Sequence, residues 1–411
     1  MRLAIQIVIF LLNLFFPSNS FGINKVELIE SKKEVIWNKV NRYTKSTGLA
    51  NKNKNICKRY IDHLTDYNKP NLVDDFKKSK LYLDCSFDLI KFKDNSIYIL
   101  FSKLLKKGHN KIVYNAIDIK NPNRNLVALV AKTSVGAEAR KNLREHQISS
   151  QFSYYESILK PYNFDYFPYH HPSAAVISIY DKFETTLQKF ANKTSHRLTE
   201  RWAMIKPIIE DFTQLQNSLI HRDIKFGNIV CKKIALYPNL HSGKKYACAL
   251  IDFEFSLLKE EWEENKRVTQ MLGTTVNLAP ELYNRYSLSK HFWSHLIKRE
   301  SFSFGMVLLA LFGFKAEYDE CLSFLKKMYS IQKSREFIDR QKQSKNREVL
   351  DQFMKWHSNT YKKSIKMPFS SLRRILLDMV NPIYIHRPEL SLSKNKIDDL
   401  LHQNPHITTE H

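Results

Sequence analysis

His221-Arg222-Asp223-Ile224-Lys225-Phe226-Gly227-Asn228 is the stretch on which the reading of this 411-residue chain turns. Asp223 offers a carboxylate that accepts or orients a hydroxyl proton. Lys225 sets a cation two residues away, and Asn228 offers a neutral oxygen of the kind a hard divalent cation accepts. The stretch is predicted to lie between a long helix and a strand. Upstream, Trp202, Ile205, Ile208, Ile209, Phe212, Leu215 and Leu219 recur at three-to-four spacing, the apolar face of one helix. Downstream, Ile229-Val230-Cys231 and Ala247 to Ile251 read as short strands around a polar loop with Pro238 and Gly243.

Further stretches follow in order. The second strand runs into Leu250-Ile251-Asp252-Phe253-Glu254, which supplies another carboxylate. Then come Gly273-Thr274-Thr275-Val276-Asn277-Leu278-Ala279-Pro280-Glu281, Glu300-Ser301-Phe302-Ser303-Phe304-Gly305, and Arg387 within Asn381 to Pro388. Toward the N-terminus the pattern changes. Ile97 to Phe101, Ile112 to Ile119, Leu126 to Lys132 and Ala174 to Tyr180 are strand-like, with one helical stretch, Ala137 to Phe152, among them. A strand-rich part before a larger helical part is an α+β arrangement.

Taken together, these stretches resemble the eukaryotic protein kinase family, in its Ser/Thr form. The resemblance covers roughly residues 99–388 and implies a two-lobed protein kinase fold, with an N-lobe of about 99–182 and a C-lobe of about 183–388. It implies transfer of the ATP γ-phosphoryl group to a protein Ser or Thr hydroxyl, with ATP and Mg2+ as cofactors. On that resemblance Asp223 is the catalytic base and Lys225 steadies the transferring group. Asn228 and Asp252 hold magnesium. Lys132, in Val130-Ala131-Lys132, holds the α and β phosphates and is positioned by Glu145, with Glu138 as the runner-up. Leu105, Val113 and Val130 roof the adenine and Val230 floors it. Arg387 forms a buried ion pair with Glu281, and Glu300 opens a buried central helix.

The chain departs from the family at three places. Glu254 stands where the family has glycine, and Glu300 where it has aspartate. The glycine-rich loop, Leu105 to Tyr114, keeps only Gly108, with Lys106 and Lys111 at the other two glycine positions. The first and third of these leave a second reading open: a pseudokinase, a binding or scaffolding module on the same fold. Arg222 matches an arginine that pairs with a phosphorylated residue in the family. Here Glu260, Glu261, Glu263 and Glu264 either supply that anion or form a solvated acidic patch.

Composition narrows the rest. A 43% hydrophobic share excludes a disordered or fibrous chain, and 9 glycines exclude collagen-like and glycine-rich linker chains. Lys+Arg of 65 against Asp+Glu of 41 gives a net charge of +24. Such a surface favours an acidic protein substrate or an anionic membrane surface. Charge alone gives no ground for nucleic acid.

Residues 1–20 read as a signal peptide: Arg2, an apolar run from Leu3 to Phe16, then Pro17 and Ser18-Asn19-Ser20. The alternative is an uncleaved anchor. A signal peptide implies a secretory, oxidising compartment. Residues 21–98 read as a basic N-terminal extension with helical stretches at Val26 to Val40 and Ile56 to Leu64, and 389–411 as a C-terminal tail. Five cysteines leave at least one unpaired. Cys231 lies three residues past Asn228 and Cys248 four before Asp252. If their strands pair antiparallel the two cysteines lie nearly opposite, as a bridge or as two buried thiols.

Overall fold

The computed structural model describes residues 25–44, 55, 57–59, 61, 62, 65, 85, 87–107, 111–132, 137–167, 175–193, 197–233, 246–265, 278–283, 292–367 and 369–404. Residues 1–20, read as a signal peptide, Gly108 and the stretch Gly273 to Asn277 lie outside them. The chain divides into two compact units, Met1–Ala139 with Tyr162–Lys182, and Arg140–Pro161 with Phe183–His411. One is rich in strands and the other in helices, the α+β arrangement expected.

The first unit begins with helix α1 (Lys25–Thr44). Strands β1 (Phe87–Lys91), β2 (Ile97–Lys107), β3 (Lys111–Asp118), β4 (Leu126–Lys132), β5 (Asn163–Phe167) and β6 (Ala175–Asp181) follow. They form one sheet in the order β1-β2-β3-β4-β6-β5, antiparallel throughout. Successive side chains on a strand point to opposite faces, and here each face has its own apolar layer. Phe87, Leu89, Ile99, Phe101 and Ile117 pack with Ile36 and Val40 of α1, Cys57, Ile61 and Cys85. Ile90, Tyr98, Leu100, Ala116, Ala128, Val130, Ile177 and Ile179 form the other layer. Strand β6 is buried at Ala175 through Tyr180, a run that is apolar apart from Ser178, as suits a strand covered on both faces.

These layers correct the expected boundary at residue 98. Among the described residues of 21–98, α1 covers one face of the sheet, β1 pairs with β2 from Phe87↔Phe101 to Lys91↔Ile97, and Cys57 is bridged to Cys85 inside the same layer, so these residues are part of the strand-rich unit. The glycine-rich loop also differs from expectation. Lys106 and Lys111 are strand residues, in register with Val113 and Ala131. Leu104 pairs with Tyr114 and Lys106 with Val113, so Leu105 is the extra residue of a β-bulge. It is 44% exposed.

In the second unit, α2 (Ala137–Gln151), whose first residues belong to the first unit, is followed by β7 (Thr185–Thr186) and α3 (Leu187–Lys193). Helix α4 (Leu198–Leu215) leads to β8 (Leu219–Ile220). Strands β9 (Ile229–Lys233), β10 (Tyr246–Leu250) and β11 (Leu257–Leu258) precede α5 (Lys259–Asn265). Helices α6 (Trp293–Leu311), α7 (Lys315–Lys333), α8 (Asp339–Ser364), α9 (Ser370–Met379) and α10 (Leu390–Gln403) complete it.

The apolar stripe Trp202, Ile205, Ile208, Ile209, Phe212 and Leu215 faces the core from α4, while Leu219 belongs to β8. Helix α6 starts at Trp293 rather than at Glu300, because Trp293 and Leu296 pack on Ile220 and extend its buried face toward the N-terminus. The supposed tail after 388 is also structural. Ile397 and Leu401 of α10 join the core, and Trp202 donates its indole N–H to Asp398 at 2.8 Å. Among the described residues, no helix is long and apolar enough to cross a membrane.

Candidate active site

The stretch His221 to Asn228 is held at both ends by strands. Leu219 and Ile220 of β8 pair with Leu258 and Leu257 of β11, and a single 3-10 turn, Phe226–Asn228, feeds β9. Arg222 has a positive φ of 68°, unusual for a residue with a β-carbon. The strain is held by Glu300 of α6, which is buried. Its Oε2 accepts the His221 backbone N–H at 3.0 Å and its Oε1 the Arg222 N–H at 2.8 Å. Hydrogen bonds to a charged acceptor contribute about 1.5–3 kcal/mol each. Burial pushes the Glu300 carboxyl up to about 7, against those two amides and the Arg222 guanidinium, which favour its charged form.

Two predicted residues, Lys225 and Asn228, converge on a third, Asp223, whose side chain is buried. Lys225 Nζ donates to its Oδ2 at 2.6 Å, and Asn228 Nδ2 donates to the same oxygen at 2.9 Å and to the Asp223 carbonyl at 2.9 Å. With its nitrogen committed to Asp223, Asn228 has its amide oxygen to offer a cation. The Asp223 N–H donates to His221 Nδ1 at 3.2 Å, and His221 Nε2 lies 3.1 Å from the carbonyl of Ile251. This pair of contacts fixes the tautomer: Nδ1 accepts and Nε2–H donates. Full burial lowers the His221 pKa, so the ring works as a neutral bridge, packed edge-on against Phe253.

Asp252 follows Ile251. Its φ of 72° and ψ of 63° are left-handed, a conformation aspartate tolerates better than most residues. The Ile251 N–H donates to the Asn228 carbonyl at 2.9 Å. Asn228 and Asp252 therefore stand at the open end of one hairpin. That hairpin is β9 on β10, with Cys231 opposite Cys248. The Cys231 carbonyl accepts the Glu184 N–H at 3.1 Å, so its backbone faces β7 and the position opposite Cys248 is non-hydrogen-bonded. Side chains approach most closely there. The cysteines are disulfide-bonded, with Cα atoms 4.1 Å apart, which settles the alternatives left by the spacing. Cys321 is the unpaired cysteine, buried in the core.

The remaining predicted residues lie as follows. Val230 is half-buried on β9, between Ala249 and Thr186. Glu145 is buried on α2. Lys132 ends β4, in register with Ala175. Val113 is half-buried on β3, while Val130 belongs to the core layer with Ala128 and Ile177. Leu105, Val113, Val130 and Lys132 belong to the first unit, and Glu145, Val230 and the Asp223 cluster to the second. Among the described residues, no three His, Cys, Asp or Glu side chains gather as a metal site. One carboxylate and one amide, both hard oxygen donors, suit a magnesium ion that takes most of its shell from phosphate and water.

Sequence reasoning missed two features. It did not foresee that Glu300 would carry two backbone amides, because that role depends on α6 passing under the loop. It noted the acidic run at 260–264 without seeing which side chain turns inward. No protein-family model matches the chain, and no curated protein matches it.

Proposed function

We propose that the chain is a protein kinase that transfers the γ-phosphoryl group of ATP to Ser or Thr hydroxyls of a protein substrate. The observation that carries this reading is the unit formed by Asp223, Lys225 and Asn228, joined through His221 to Ile251, the residue before Asp252. In it Asp223 accepts or orients the substrate hydroxyl proton, and Lys225 balances charge on the migrating group. Asn228 and Asp252 would hold magnesium, which would supply electrostatic stabilisation of the phosphates. Positioning and fixed charge are what this reaction requires of a protein. The reading assigns Lys132 to the α and β phosphates, Glu145 to its support, and the two-lobed kinase fold to the two units. The two disulfides suit the oxidising, secretory compartment that residues 1–20 imply.

The experiment is phosphoryl transfer from radiolabelled Mg-ATP by the full chain to a mixed protein acceptor, beside Asp223→Asn and Lys132→Met. Transfer by the wild type that is lost in both variants, with fold retained, supports the reading. A second reading, a nucleotide-binding or scaffolding pseudokinase, is favoured by the placement of Lys106 and Lys111 in paired strands and by Glu254. It predicts no transfer by the wild type.

A further inference from the structure

The four acids after β11 do not behave alike. Glu260, Glu263 and Glu264 are exposed, and Glu263 lies 3.8 Å from Lys259 one turn away. Glu261 is half-buried and turned inward. Its Oε1 accepts from Arg144 Nε at 3.1 Å and its Oε2 from Arg144 Nη2, a bidentate pair between α2 and α5. The same Oε2 accepts the Leu258 backbone N–H at 3.1 Å. Arg144 Nη1 donates to the Ser256 carbonyl at 3.0 Å, and Ser256 Oγ donates to the carbonyl of His221 at 3.4 Å. A continuous path therefore runs from Arg144 of α2 through Ser256 to the loop that carries Asp223, and Glu261 orients the guanidinium from which it starts. Planar guanidinium–carboxylate pairing fixes direction as well as distance.

Arg222 lies in the same field. Its guanidinium interacts with Glu300, Arg299, Arg144 and Glu261, three guanidiniums in all against two carboxylates. Its Nη2 is buried and makes no hydrogen bond in the structure. Burial brings its pKa down to about 10, so this cation is held where charge is costly. Glu261 is thus one of the two carboxylates that offset the Arg222 charge, and the one that also pairs with Arg144.

We infer that Glu261 is a positioning residue, a built-in carboxylate that fixes α2 against the flank of the catalytic loop and makes turnover independent of phosphorylation. The inference rests on the kinase reading for its effect on turnover, but the clamp itself does not. Glu145 is the next residue of α2 after Arg144, so the clamp fixes its position relative to that loop.

The test compares the full-length wild type, Glu261→Gln and the exposed control Glu263→Gln. It measures steady-state transfer from Mg-ATP, transfer after phosphatase treatment, and amide hydrogen exchange over 137–151. We expect Glu261→Gln to lower kcat about tenfold or more with the KM for ATP changed less than about threefold. Faster exchange in 137–151 should accompany it. Glu263→Gln should match the wild type, and the phosphatase-treated wild type should keep its turnover. Wild-type kcat and exchange in Glu261→Gln would overturn the inference, as would a wild type silenced by phosphatase. If the wild type transfers nothing, the kinase reading falls and the exchange comparison alone judges the clamp. Should Glu261→Gln not fold, Arg144→Lys, which keeps the charge but gives up the bidentate geometry, carries the same comparison.

Discussion

Ile251 donates its backbone N–H to the carbonyl of Asn228 at 2.9 Å, so the residue before Asp252 is bonded to the residue that ends the 221–228 loop. The two groups proposed to hold magnesium thus move with one hairpin, and the Cys231–Cys248 bridge closes that hairpin across a separation of 17 residues. Replacing both cysteines by serine should lower stability by about 3 kcal/mol, the scale for a loop of this size. It should also weaken Mg-ATP binding. Thermal denaturation and calorimetric titration measure the two effects. Peptide mapping without reductant should find neither thiol alkylatable in the wild type, and alkylation of both would remove the premise.

Glu300 makes stability depend on pH in an unusual direction. Its folded-state value of about 7 lies above the ordinary 4.5, chiefly because it is buried, with the Asp223 charge adding to the rise. Between these values the folded protein binds the extra proton. Its contribution to stability is therefore full below about 4.5 and declines as pH rises through about 7. Glu300→Gln should flatten that part of the stability profile, at a lower overall stability, because its amide nitrogen cannot accept one of the two backbone N–H groups that Glu300 holds. Denaturant midpoints taken from pH 4.5 to 8 would show it; a slope in the variant equal to that of the wild type would contradict the assignment.

Glu281 and Arg387 form a buried bidentate pair, at 2.9 Å and 2.8 Å, with the guanidinium over the Phe302 ring. Removing one partner leaves a buried charge. Arg387→Met and Glu281→Gln singly should each cost about 3–5 kcal/mol. The double variant should cost clearly less than the sum, and chemical denaturation of the four proteins measures the coupling.

Gly305 sits where α6 meets the end of α9. A β-carbon there would lie 2.8 Å from Met379 Cβ and 2.8 Å from Val380 Cγ1. Gly305→Ala gains helix propensity, yet overpacking should dominate, with a net loss of about 1–3 kcal/mol. An unchanged melting temperature would mean the two helices part more easily than their packing indicates.

Local signals made much of this fold legible. Leu126 to Lys132 and Ala174 to Tyr180 read as strands because they are short runs rich in β-branched and aromatic residues, and β4 and β6 lie inside the sheet rather than at its edge. Phe87–Lys91 did not, since Asp88 and Lys91 interrupt a short run whose partner, β2, supplies the evidence. Asn163–Phe167 escaped for a similar reason: Asp165 is buried there and meets Lys93 at 2.8 Å, a contact no spacing reveals. Asp223, Lys225 and Asn228 were legible because they lie within one loop, where spacing nearly fixes geometry. Glu261 was one acid among four until Arg144, 117 residues away, selected it. The standing of residues 21–98 was hidden for the same reason, because α1 is mostly polar and its role comes from the face of the sheet it covers.

The pair Glu281–Arg387 spans 106 residues, and that distance matters while the protein is being made. Synthesis is vectorial, so Glu281 emerges long before Arg387. In the interval its carboxylate has Arg299, at 3.6 Å in the finished fold, only as a looser companion. The buried pair can therefore form only once translation has passed residue 387. A premature stop or a proteolytic cut between the two would leave Glu281 with Arg299 alone, without the bidentate partner of the finished fold, a species for quality control to clear.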